Sequence, residues 1–288
     1  STAQVAAIGT DDLQKLGTDQ IGALSSTQVK ALTTAQIEAL TTAQVEKLGT
    51  DQIAALTTAQ IKAIATDDLA KLTTDQIKAL SSTQVAALTT DQVSKLSTDQ
   101  VQALSTSAIK GLTAANITAL TTAQAEKLTT DQIAALSTAQ VAAIGTDDLA
   151  KLSTDQVNAL STSQVKAVTT SQVDALTTSQ VEKLTTDQVA ALTTAQVKAI
   201  ATDDLAKLTT DQIKVLSSTQ VGALTTEQVA KLSTDQIQAL TSTAIKGLST
   251  DGIVALTTAQ IEKLGTDQIA ALTTAQIKAI ATDDLAKL

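Results

Sequence analysis

Residues 49–64 read GTDQIAAL TTAQIKAI, two octads whose apolar residues fall at the fifth and eighth places: Ile53 and Leu56, then Ile61 and Ile64. A spacing of three puts both on one face of a helix but on opposite faces of a strand, so the pattern predicts helix. The same octad, roughly [ST]-T-[AD]-Q-[IV]-x-A-L, fills all 288 residues as 36 copies without insertion or deletion. One continuous helix is disfavoured. Eight residues advance the face by about 80°, so an Ile/Leu stripe would spiral around the rod. Polar Thr pairs would also interrupt it in every octad. The expected fold is therefore an all-α solenoid of very short helices, one per octapeptide. A β-solenoid is the alternative.

Where each helix starts has two answers. Position two is Ser or Thr in 35 of the 36 octads, Ala114 being the exception, which favours it as the N-cap. Position one would then lie past the preceding helix, where residues such as Gly9 and Gly49 are comfortable. In the rival frame position one is the N-cap, Thr57 and Gln60 form a capping box, and Leu56 and Ile61 form the staple. The sequence leaves both frames open.

The seventh place carries Ala in 22 octads and Lys in 11, from Lys15 to Lys287. Gaps between successive lysines run 4, 3, 3, 4, 3, 4, 3, 3, 4 and 3 octads, a mean of 3.4. A non-integer period held along the chain suggests a coil of about 3.4 octads, roughly 27 residues, with lysine on one side. Every lysine octad also holds an acid. In seven it lies four residues earlier, as Asp67 before Lys71, and in four it lies one residue earlier, as Glu46 before Lys47. An Asp follows four residues after each lysine that has a further octad, from Asp19 to Asp267. The expected result is a charged corner with helical i−4 ion pairs, each worth little on a solvated face. Five octads read T-D-D-L, with Asp pairs such as Asp67/Asp68 and Asp203/Asp204. Their closeness to lysine favours ion pairing and N-terminal charge over calcium, and no calcium-loop spacing is present.

A larger unit is also visible. The T-D-D-L octads are spaced 7, 10, 7 and 10 octads apart, and Ser105–Leu120 recurs as Thr241–Leu256, 136 residues on. Residues 9–144 and 145–280 read as copies of one 17-octad unit, about five coils, within a single continuous solenoid over 1–288.

Composition removes most chemistry. His, Cys, Trp, Tyr, Phe, Met, Pro and Arg are all absent. The usual general bases, soft metal ligands and base-stacking platforms are missing with them. Net charge is −9, which argues against nucleic acid. No apolar run approaches the ~18 residues of a membrane span. The expectations are no enzyme activity, no cofactor, no metal, no catalytic or binding residue and no small-molecule substrate. The first and last octads, STAQVAAI and ATDDLAKL, are as apolar at places five and eight as any other. A solenoid without polar end caps is expected to continue in a longer chain or to stack end to end.

The run LTTAQIEALTTAQVEKLGTDQIAALTTAQI, residues 32–61, resembles octapeptide arrays in very large bacterial secreted and surface proteins, some of them adhesins or RTX-like proteins. The resemblance implies an extracellular or cell-surface, structural role and carries over no site residue. The calcium nonapeptides of RTX proteins are absent here, which counts against a calcium-folded β-roll. The leading expectation is a stalk, spacer or filament segment. A module that binds a ligand, glycan or ice surface through one solenoid face is the alternative.

Overall fold

The computed structural model describes residues 1–285, with one α-helix in every octad from Thr2–Ala6 to Thr282–Leu285. Among the described residues there is no strand, so the fold is a helical solenoid of short helices and the β-solenoid alternative is set aside. The three-residue spacing of the apolar pair decided this correctly. Helices such as Thr50–Ala55 have six residues and Thr66–Leu69 only four. Helices this short do not persist alone, since nucleation costs more than a single turn returns. Their ends and their stacking must hold them.

The N-cap is position one. Thr57 is extended at φ −73°, ψ 160°, and Thr58 is the first helical residue. The Gln60 N–H donates to Thr57 Oγ1 at 3.2 Å, and the Thr57 N–H donates to Gln60 Oε1 at 2.8 Å. This is the capping-box frame, not the frame the stricter hydroxyl favoured. The reason is that the residue three places after position one is Gln, whereas three places after position two stands Ile or Val, which cannot reach back. Glycine at position one is likewise an extended N-cap. Gly49 sits at φ −70°, ψ 159°, and no described residue has positive φ. Its N–H still donates to Gln52 Oε1 at 2.7 Å, so half of the box survives without a side chain.

The chain divides into two compact units, Ser1–Lys151 and a second beginning at Leu152, built in the same way. Within each, a helix packs against the third one further along: Ser26–Lys30 on Thr50–Ala55 in the first, Ser242–Ile245 on Thr266–Ala271 in the second. Hydrogen bonds between coils bracket the coil length. Thr118 Oγ1 reaches the Ala143 carbonyl 25 residues on, and Gln84 reaches Ile53 31 residues back. The lysine steps of three and four octads bracket the same length, so a coil of about 3.4 octads fits both.

Places five and eight build the core. Ile53 and Leu56 are 0% and 4% exposed, and the other octads repeat this closely. Each such burial contributes about 1.5–3 kcal/mol. The terminal coils show which way each place faces. In the first coil Val5, Leu13 and Ile21 are buried, while Ile8, Leu16 and Leu24 are only half-buried. In the last, Ile269 and Ile277 are half-buried. Place eight therefore packs on the preceding coil and place five on the following one.

Candidate functional site

The polar chemistry of the chain is concentrated at position four. Gln stands there in 27 of 36 octads. The short helix places it as the third helical residue, pointing back toward its own cap. Gln84 Oε1 accepts from the Ser81 N–H at 2.9 Å. Its Nε2 then donates to the Ile53 and Leu56 carbonyls of the coil before, each at 2.8 Å. In the same way Gln44 reaches Leu13 and Leu16, and Gln220 reaches Val189 and Leu192. The carbonyls it meets belong to helix ends, where no intrahelical N–H remains for the last of them. Interior glutamines are between 1% and 5% exposed, so without the rung the amide and the place-eight carbonyl would be buried and unsatisfied, while a place-five carbonyl such as that of Ile53 also accepts from the Leu56 N–H at 3.2 Å. Each Gln is thus a rung that caps its own helix and ties it to the coil before.

Sequence reasoning saw the cap but missed the rung. The signal was the amide itself. Glutamate closes a capping box equally well, yet only Gln carries a donor left over for a second bond.

A family model for the ALTTAQ repeat matches residues 5–42, 35–65, 61–98, 93–130, 141–178, 173–202, 197–234, 229–266 and 253–282. The chain belongs to the ALTTAQ repeat family. No curated protein matches the sequence. The six letters of the ALTTAQ repeat have a physical meaning in this fold. In Ala39–Gln44 they are the end of one helix with its buried leucine, the cap Thr41, the first helical residues and the rung Gln44.

Besides two single exceptions, Asn116 and Gly252, two kinds of octad depart from the ALTTAQ pattern at position four. In T-D-D-L octads the second Asp takes the rung position, and the cap is Gly or Ala with no side-chain acceptor. Asp cannot donate to a carbonyl. Instead it accepts from a threonine of the preceding coil: Thr42 Oγ1 donates to Asp68 Oδ1 at 2.5 Å, Thr122 to Asp148 at 2.6 Å and Thr178 to Asp204 at 2.5 Å. The second departure has Ala at position four and Gly at position seven, as Ala108 with Gly111 and Ala244 with Gly247. Without a glutamine between them the coils lie closer. A Cβ on Gly111 would stand 2.0 Å from the Ser82 carbonyl oxygen, and one on Gly247 would stand 1.8 Å from that of Ser218.

The charged corner is looser than its spacing suggests. Lys15 pairs with Asp12 at 3.3 Å, three residues away, and not with Asp11 at i−4. Asp75, expected beside Lys71, pairs with Lys78 at 3.4 Å. Lys231 reaches Asp203 of the preceding coil at 3.9 Å, not Glu227. No i−4 ion pair forms among the described residues, and Lys287 lies outside them. The helices explain this correction. The seventh place is the last helical residue as at Lys15, the C-cap as at Lys47, or past the C-cap as at Lys71 and Lys207, so a full i−4 turn is barely present.

Open clefts recur between coils at matching octad places. One of about 460 Å³ lies between Lys198, Gly222, Thr226 and Asp251, and one of about 340 Å³ between Lys30, Ala54, Thr58 and Thr83. Among the described residues no group of three or more acidic side chains is placed to hold a metal ion. No described helix is long and apolar enough to cross a membrane.

Proposed function

We propose that this chain is a structural segment of an extended stalk, spacer or filament outside the cell or on the surface of a bacterium, and not an enzyme. The observation that carries it is the rung repeated at coil after coil in each unit. Such an interface is extended by adding octads, since each added coil brings its own caps, rungs and apolar pair. The family membership supports a repetitive role, and the resemblance to secreted and surface arrays supports the location. Nucleic acid, membrane insertion, cofactors and small-molecule substrates have no part in this proposal.

The test is scaling. Scattering from chains carrying one, two and three copies of the 136-residue unit should give a longest dimension that grows in proportion to copy number. Growth closer to the cube root of length would contradict a stalk. Labelling of intact cells with an impermeant reagent would check the location.

The recurring clefts favour a second proposal, a binding face for a glycan or another surface. Glycan-array binding abolished by Lys198→Ala and Asp251→Ala would support that module over a plain spacer.

A further inference from the structure

Charge is sorted by side within each unit. In the first, octads 25–32, 57–64, 81–88, 105–112 and 137–144 stack into one column. Gln60 donates to the Val29 and Leu32 carbonyls, Thr58–Ala63 packs on Ser82–Ala86, and that helix packs on Thr106–Ile109. Gln140 then donates to the Ile109 and Leu112 carbonyls. The second unit repeats the column with octads 161–168, 193–200, 217–224, 241–248 and 273–280, joined by Gln196, the matching helix contacts and Gln276. Each column advances by four, three, three and four octads, steps that bracket one coil, so it stays on one side of its unit.

These ten octads contain no acid. The first column carries Lys30, Lys62 and Lys110, and the second carries Lys166, Lys198, Lys246 and Lys278. All seven stand at place six, are exposed, and join no ion pair among the described residues. The other 13 of the 20 lysines share the remaining octads with all 29 acids. Place three, the usual seat of Asp elsewhere, is exposed Thr27, Thr83 and Ser107 or alanine in the first column. Acids border the face: Glu38 lines a cleft beside Lys62, and Asp251 lines one beside Lys198.

We infer that this acid-free lysine face binds a linear acidic polysaccharide, with the ammonium groups on its carboxylates or sulfates and the Ser and Thr hydroxyls on its sugar hydroxyls. The lysines lie one stacking step apart, as Lys30 and Lys62, or two, as Lys62 and Lys110. That sparse ladder suits a polymer whose anions are separated by neutral atoms. One exposed lysine contributes little, but a polymer that engages several gains through effective concentration. Duplex nucleic acid fits less well. It carries a charge every ~1.7 Å, which would press phosphates against the bordering acids. The chain also has no Arg and no aromatic side chain on which a base could stack. The ligand class rests on the binding-face proposal above and narrows it, and the stalk reading does not depend on it.

Binding of the 288-residue chain to immobilised polygalacturonate, dextran sulfate, neutral dextran and duplex DNA is the test. At least one acidic polysaccharide should bind at low salt and be released as salt rises from about 50 to about 200 mM. The variant Lys30→Gln/Lys62→Gln/Lys110→Gln/Lys166→Gln/Lys198→Gln/Lys246→Gln/Lys278→Gln should bind at least about tenfold more weakly. Lys47→Gln with the same change at every other place-seven lysine up to Lys207 alters net charge equally. It should cost less than about threefold, because those lysines stand among acids. Both sets are exposed, so both variants should keep the parent circular dichroism. Failure of both acidic polysaccharides to bind at low salt would overturn the inference. So would equal weakening in the two variants, or neutral dextran or duplex DNA bound as tightly as the acidic polysaccharides. Glycan-array binding abolished by Lys198→Ala and Asp251→Ala, with no binding of either acidic polymer, would keep the binding face and overturn its acidic ligand.

Discussion

Octads 81–88 (SSTQVAAL) and 105–112 (STSAIKGL) occupy the same kind of place in the first unit and solve it differently. In the first, Gln84 fills the space between coils with an amide that donates to two carbonyls below it and supplies the partner that the Leu56 carbonyl otherwise lacks. In the second, Ala108 leaves that space empty, and the backbone closes in until only hydrogen fits at Gly111. The difference teaches that in the Ala108 and Ala244 octads the small residue at position four goes with a close approach of the coils that position seven must accommodate. A glycine at place seven here reflects close approach to a neighbouring backbone, not a need for left-handed φ.

The largest effect should come from breaking the regular octad. Gln84→Ala removes one half of a capping box and leaves the Ile53 and Leu56 carbonyls buried without their amide. Urea denaturation should show a loss of about 3–5 kcal/mol. Gly111→Ala tests the other octad. Its methyl meets a backbone carbonyl that cannot rotate away, so a loss of about 2–3 kcal/mol is expected. The double variant Ala108→Gln/Gly111→Ala sharpens the comparison, because it rewrites the irregular octad as a regular one. It should be more stable than the sum of its single variants by at least about 1 kcal/mol, read from a double-mutant cycle. Additive losses would mean that positions four and seven are not coupled.

Smaller effects should follow away from the rungs. Thr42→Val leaves the nearly buried Asp68 carboxylate without its hydroxyl donor, at a cost of about 1–2 kcal/mol in the same denaturation assay. Lys78→Ala removes a pair whose side chains are 60% and 78% exposed, and its melting midpoint should stay within the change given by about 0.5 kcal/mol.

These positions also show what can be read from the sequence. Ile53 and Leu56 announced helix and core through local spacing alone. The coil length was legible within bounds, since lysine steps of three and four octads bracket the same length as the inter-coil hydrogen bonds over 25 and 31 residues. The cap frame was not, since Thr57 and Thr58 are both plausible caps and only the bond to Gln60 separates them. The rung escaped because its acceptors lie 28 and 31 residues back, beyond any local pattern. The expected i−4 pairs failed for a physical reason: they presume a helix longer than the four to six residues present here. The link between Ala108 and Gly111 was visible as a repeated oddity, but its cause needed the neighbouring Ser82 carbonyl.

The central claim is that position-four glutamines hold the coils together through their amide donors, and substitution by glutamate isolates that bond. Glutamate keeps the cap acceptor and the side-chain length but removes the donor. Equilibrium unfolding of Gln84→Glu and Gln20→Glu should be compared at neutral and acidic pH. The account predicts a loss of about 3 kcal/mol or more for Gln84→Glu at neutral pH, shrinking on acidification as the introduced carboxyl regains a proton to donate. It predicts a change within about 0.5 kcal/mol for Gln20→Glu, whose amide has no carbonyl beneath it in the isolated chain. A Gln84→Glu variant as stable as the parent, or one whose loss does not respond to pH, would contradict it.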